Sequence, residues 1–233
     1  MTLHSFHLAR VPARVSVPAL LRPPTPARVP GLVHAQPMVG MRLGAPVVSP
    51  DRMQVRQVAF FAQWTDEAAL EGFLAGSRLG RALARGWHVR LEFLRQWGHL
   101  EAQAGLVPAE HRATPDEPVA AVTIARMRLL ELPRFLRWGR PVEGQVRDHP
   151  GVTLAVAAIR PPHTISTFSV WRNQREMVQM VHGHSPGVAS RRHVEAMGER
   201  ERRDFHHEFT TLRFRALSEH GVWQGRTGLL PGL

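Results

Sequence analysis

Five short motifs of this chain occur twice, in the same order. His7-Leu8-Ala9-Arg10 returns as Thr123-Ile124-Ala125-Arg126, and Pro18-Ala19-Leu20-Leu21-Arg22 as Pro133-Arg134-Phe135-Leu136-Arg137. Pro30-Gly31 returns as Pro150-Gly151, Phe61-Ala62-Gln63-Trp64 as Phe168-Ser169-Val170-Trp171, and Leu91-Glu92-Phe93 as Leu212-Arg213-Phe214. The offsets run from 107 to 121 residues. An ordered repeat of this length predicts two copies of one supersecondary unit, so the chain has two similar apolar faces to bury.

Each copy reads as strand, helix, strand, strand, helix, strand. In the second, Val119–Met127 is an apolar run of strand length, and Leu130–Val146 has helical spacing with Pro133 in its first turn. Pro150-Gly151 stops that helix, and strands follow at Val152–Ile159 and Ile165–Trp171. Asn173 and Glu176 have the spacing of a capping box, so a helix starts there. Ser185-Pro186-Gly187 interrupts it, a further helical piece runs over Val188–Arg203, and Phe209–Leu217 closes the unit. The first copy is more worn, with strands at Leu3–Ala9, Leu32–Met41, Val55–Gln63 and His88–Arg95, a helix over Asp66–Arg85 and an inserted loop at Gly44–Arg52. Five prolines between residues 12 and 26 leave its first helix short or broken.

The expected fold class is α+β, two tandem ferredoxin-like repeats forming a single-chain dimeric α+β barrel. The expected division is 1–97 for the degenerate first repeat, 98–117 for a connector, 118–223 for the second repeat and 224–233 for a tail. With helices over one face of each sheet, the other faces pack on one another and enclose a central ligand space. Strand alternation then separates Phe168 and Val170 from Thr167, Ser169 and Trp171, and Leu212 and Phe214 from Thr211, Arg213 and Arg215. If the more apolar sets meet the helices, Thr167, Ser169, Trp171, Thr211, Arg213 and Arg215 line the interior, with Glu92 a partner for Arg213 or Arg90.

Composition removes several classes of function. There is no Cys, which excludes disulfides, thiolate metal sites and cysteine nucleophiles. No apolar run reaches the ~18 residues of a membrane span, and the proline- and arginine-broken N-terminus lacks the core of a signal peptide. A cytoplasmic protein without an integral membrane segment is expected. The 30 basic residues, all Arg, exceed the 19 acidic ones by 11. They are scattered and not interleaved with aromatics, which argues against nucleic acid as a partner. No carboxylate and histidine pair has the spacing of a zinc helix, no serine sits in a hydrolase elbow, and no glycine-rich phosphate loop follows a strand.

The second half, over roughly residues 119–223, resembles the spheroidene monooxygenase family, bacterial enzymes that oxidise acyclic carotenoids. The resemblance lies in Thr167-Phe168-Ser169-Val170-Trp171 ahead of a methionine-bearing helix, the preceding Pro150-Gly151 strand, His193 on the following helix and the closing strand Phe209–Leu217. It implies a dimeric α+β-barrel architecture, a haem-linked oxygenase activity and a long apolar substrate. The segment Arg202–Glu208, with Asp204, His206 and His207, departs from the tryptophan- and tyrosine-bearing run of those enzymes, and the chain has no Tyr. The fold is therefore expected to carry over better than the substrate.

Haem requires one axial histidine in an apolar pocket. His193, on a helical stripe with Ala189, Ala196 and Met197, is the preferred ligand, with His206 and His207 as alternatives. Arg191, Arg192, Arg213 or Arg215 are candidates for the propionates. The expected function is monooxygenase-like oxidation of a carotenoid- or polyketide-like molecule by a monomeric pseudo-dimer or weak homo-oligomer. The alternative is a non-catalytic barrel that binds a small hydrophobic ligand or a protein partner.

Overall fold

Helix starts follow from local chemistry. Asp66 Oδ1 accepts a hydrogen bond from Ala69 N at 2.9 Å, and Asn173 Oδ1 accepts one from Glu176 N at 2.8 Å, so both copies cap the same helix with a short polar side chain. Asn173→Ala is expected to cost about 1 kcal/mol in thermal or denaturant unfolding. The single helix expected over Asp66–Arg85 is instead two. Ser77 Oγ accepts from Gly80 N at 2.7 Å and starts a second helix there. A Cβ at residue 80 would lie 1.9 Å from the Phe73 carbonyl oxygen, so the close turn depends on glycine.

The structure is a computed structural model that describes residues 2–45, 49, 52–185 and 191–232. The first half comprises β1 (Leu3–Arg10), α1 (Ala13–Leu21), β2 (Leu32–Met41), β3 (Met53–Trp64), α2 (Glu67–Gly76), α3 (Arg78–Ala84) and β4 (Trp87–His99). The second comprises β5 (Val119–Met127), α4 (Leu132–Arg147), β6 (Val152–Arg160), β7 (Thr164–Trp171), α5 (Gln174–Val181), α6 (Arg192–Arg202) and β8 (His206–His220). The strands close into one barrel in the order β1-β3-β2-β6-β7-β5-β8-β4. Each half therefore contributes a ferredoxin-like sheet, β4-β1-β3-β2 and β8-β5-β7-β6.

The halves join edge to edge. β2 pairs with β6 from Val39↔Ile159 to Met41↔Ala157, and β4 pairs with β8 from His88↔His220 to His99↔Phe209. Both seams are antiparallel between equivalent strands, as a two-fold relation between the halves requires, and neither sheet keeps a free edge. Register relates the two halves residue by residue. Phe60 pairs with His7 and Pro37, and Thr167 pairs with Thr123 and Ala157. The motif pairs at His7/Thr123, Gly31/Gly151 and Phe61/Phe168 occupy equivalent positions. The pair at Leu91/Leu212 is displaced by two residues, because Leu212 pairs with Val122 and its counterpart Val89 pairs with Phe6.

The barrel interior is filled with apolar side chains from all eight strands, among them Phe6, Met38, Phe61, Phe93, Val122, Leu154, Phe168 and Phe214. Phe6 and Phe168 stack across it with centroids 3.9 Å apart. Trp223, Leu229 and Leu230 join this core, so the C-terminal segment packs into one end. Glu219 holds it there, accepting from Leu229 N at 3.0 Å and Leu230 N at 2.9 Å. The central ligand space expected from the sequence is therefore corrected to a packed core.

The facing of the strands is corrected with it. Phe168, Val170, Leu212 and Phe214 point inward. Thr167, Ser169, Trp171, Thr211, Arg213 and Arg215, expected inside, lie on the outer face, where Trp171 packs with Met177 and Met180 of α5. The closed barrel is lined on every side by paired strands, so a continuous apolar set from all eight gains by occupying it.

Candidate functional site

The outer faces of the two halves bury different material. Beneath the first-half helices a continuous apolar cluster joins Phe60, Ala62 and Trp64 of β3 to Val15 of α1, Leu70 and Phe73 of α2 and Leu83 of α3. Beneath the second-half helices there are two separate clusters. One gathers Val119, Trp171, Met177 and Met180, with Val146 and Val181 at its edge. The other gathers Ala125, Met127 and Phe205, with Phe135, Trp138, Ile165 and Phe209 at its edge.

Between those clusters the sheet presents small side chains. One row across the strands is Thr211, Thr123, Thr167 and Ala157, and the next is Arg213, Ala121, Ser169 and Ala155. Thr123, Thr167, Thr211, Ala121 and Ala155 are all only half-buried, although they lie in a sheet with helices on that side. Their first-half counterparts include His7 and Phe60, which are fully buried. Small residues in place of large ones make a floor of hydroxyls and methyls that is less covered than its first-half counterpart, with an aromatic and methionine cluster on one side and an aromatic cluster on the other. Thr123 and Thr211 hydroxyls meet at 3.2 Å, and Trp171 Nε1 donates to Ser169 Oγ at 2.9 Å, which steadies the first of these clusters.

The candidates from the sequence divide accordingly. Thr167, Ser169, Trp171, Thr211 and Arg213 share this face. Glu92 is bonded to Arg215 at 2.7 Å rather than to Arg213 or Arg90, so Arg215 is already committed to a carboxylate. Arg213 donates from Nη1 to Gln174 Oε1 at 2.8 Å, at the first residue of α5. Arg191 and Arg192 are exposed.

Three histidines were candidate ligands. His193 begins α6 beside the end of α5, with its Nδ1 3.0 Å from the Val181 carbonyl and its backbone N donating to Gln145 Oε1 at 3.0 Å. An Nδ1–H donated to a carbonyl leaves Nε2 as the lone-pair nitrogen, the form in which imidazole ligates iron. Burial lowers the pKa of His193 and keeps it neutral. His206 Nδ1 bonds Asp204 Oδ1 at 2.9 Å, but Phe135, Phe205 and Phe209 surround the ring and its Nε2 is sealed without a partner. That enclosure leaves no room beside it for a macrocycle. His207 is exposed. Ala189, expected on the His193 stripe, lies outside the described residues. Of these, His193 fits a haem ligand best.

Sequence reasoning missed Thr123 and Ala121 in the floor and Phe135 and Trp138 in the aromatic cluster beside it. Their signal was present as a contrast between copies, since Thr123 stands where the first copy has His7. It also passed over His4, whose ring lies inside the barrel against Phe61, Phe93 and Phe214.

No protein-family model matches the chain. Spheroidene monooxygenase of Rubrivivax gelatinosus is 29% identical over 180 residues, which is 75% of this chain and 66% of that protein. The match thus spans just under two thirds of the relative's length. Among solved structures, an aldoxime dehydratase superposes with a TM-score of 0.52 at 8% identity, covering 98% of this chain and 84% of that one. An anthrone oxidase-like protein covers 97% and 96%, with a TM-score of 0.35 and 13% identity. In sequence the chain is similar to spheroidene monooxygenase, and in fold it is a single-chain α+β barrel of two ferredoxin-like halves.

Proposed function

We propose that this protein is a monooxygenase-like enzyme that takes an apolar, carotenoid- or polyketide-like molecule into a cleft between the small-residue floor of the second-half sheet and the helices over it, with haem held there by His193. The observation that carries the reading is the split of the second-half apolar layer into two clusters over a floor of threonine and alanine. Such a floor gives a long apolar molecule contact without bulk, and the flanking Trp138, Phe135, Trp171 and Met177 exclude water from it. The similarity to spheroidene monooxygenase supports the substrate class.

The floor hydroxyls have no pKa near neutrality and cannot serve as general bases. Bound haem would supply the oxygen chemistry. The chain's own part is then to hold and orient. His193 offers Nε2, fixed in direction by the Val181 carbonyl. Arg213 offers a cation at the opposite end of α5, a helix of 8 residues and so about 12 Å long.

Adding haemin to the purified protein is expected to produce a Soret band that His193→Ala abolishes while His206→Ala retains it. Protein that gains no such band excludes haem. Uptake of an apolar ligand without oxygen consumption would assign the cleft to the binding-only alternative.

A further inference from the structure

The small-residue floor of the second half ends at β4, where two arginines stand together with no carboxylate partner among the described residues. Arg95 of β4 is the register partner of Arg213 of β8, and Trp97 is the partner of Thr211, so both extend the floor rows by one strand. Both guanidinium groups lie over the Trp97 ring, 4.6 Å from its centroid for Arg95 and 4.5 Å for Arg213. Arg213 Nε is buried and unpartnered, and among the described residues neither arginine forms an ion pair. Burial and the adjacent Arg95 charge push Arg213 down to about 10. Arg95 is exposed and Arg213 half-buried, so water screens part of their repulsion and an anion that joins them removes the rest.

The first half contains the neutralised version of the same position. Arg90 pairs with Ser5 as Arg213 pairs with Ala121, so the two arginines are equivalent. Arg90 bonds Glu67 at 2.7 Å and also bonds Glu71, both on α2. Glu67 follows the Asp66 cap as Gln174 follows the Asn173 cap, and Val178 stands where the first half has Glu71. Both carboxylates that satisfy the first arginine are thus an amide and a valine beside the second.

We propose that Arg95, Trp97 and Arg213 form an anion-binding subsite at the β4 end of the cleft, which receives a carboxylate carried by the bound molecule. The planar guanidinium forks match a carboxylate, and stacking on Trp97 holds them in place before it arrives. The inference rests on the reading that the cleft takes an organic ligand, and it needs neither haem nor catalysis. The carboxylate belongs either to the substrate or to a porphyrin side chain, two sources with one chemistry.

The test uses the haem-free full chain at low salt, titrated by tryptophan fluorescence with two matched pairs. These are dodecanoate against dodecanol, and protoporphyrin IX against its dimethyl ester. The acid of at least one pair is expected to bind about tenfold or more tighter than its neutral partner, equivalent to about 1.4 kcal/mol. Gln174→Glu rebuilds the first-half arrangement and supplies Arg213 with an internal counter-ion. It is expected to abolish the preference while keeping or raising the melting temperature, and Arg213→Gln to abolish it as well. Preference in the fatty pair alone assigns the carboxylate to substrate, and in the porphyrin pair alone to cofactor. No preference in either pair overturns the subsite, as does a preference that survives Gln174→Glu. Failure of all four probes to bind sinks the cleft reading itself, whereas a missing Soret band leaves this measurement intact.

Discussion

Phe168→Ala is expected to destabilise the protein by about 3–5 kcal/mol, and the adjacent Thr167→Ala by less than about 1 kcal/mol. The two residues are neighbours on β7 and differ in which face they serve. Phe168 is 1% exposed and stacks on Phe6 across the barrel, so truncation leaves a void that eight hydrogen-bonded strands cannot collapse to fill. Thr167 lies in the cleft floor, half-buried, where losing a hydroxyl and a methyl removes little packing. Denaturant unfolding at neutral pH measures both. Equal costs, or the reverse order, would show that the inward face has been misassigned and that the cleft lies elsewhere.

Acid is expected to unfold the protein early, with stability falling steeply between pH 6.5 and pH 4. His4 is fully buried inside the barrel, and among the described residues neither of its ring nitrogens has a hydrogen-bond partner. Burial, reinforced by the His34 charge, lowers its pKa from 6.5 to about 4. His34, through burial and the Arg126 and Arg160 charges, and His88, through burial and the His220 and Arg90 charges, are also lowered to about 4. His7 is lowered as well, by burial first, with the His88, Arg90 and His220 charges adding to it.

The direction follows from proton counting. Below pH 6.5 the unfolded chain takes up protons that the folded chain refuses until about pH 4, so acidification favours unfolding across that window. For His4 alone the gap is worth about 3 kcal/mol, or about 1.4 kcal/mol per pH unit. His4→Leu is expected to flatten the pH dependence of stability by about that slope and to raise stability at pH 5. An unchanged slope in that variant would show that His4 is not held neutral.

Element positions were legible because their causes are local. The strands at Val119–Met127 and Leu32–Met41 have the bounds expected from their apolar runs, and the Asn173 cap lies where its spacing to Glu176 put it. The break at Ser77 was less visible, because residues 66–85 are helical in character throughout and the turn depends on Gly80 meeting Phe73. The Arg95–Trp97 corner was hidden for a related reason. β4 runs on to His99, and an irregularity between Phe93 and Arg95 changes which side chains face outward beyond it.

What the residues alone determined was the order of elements, the α+β class and the two-part plan, since hydrophobic period, caps and turn residues act over a few positions. What only the tertiary structure decided was which face of each strand is inside. Phe168 and Trp171 are both aromatic and both buried on opposite faces of one strand, so alternation separates them without saying which faces the barrel interior. Closure at the β2–β6 and β4–β8 seams creates an interior bounded by all eight strands and sends Phe168 into it. Trp171 is left to pack beneath α5 on Met177 and Met180, because burial depends on how distant segments meet and not on the order in which they are joined.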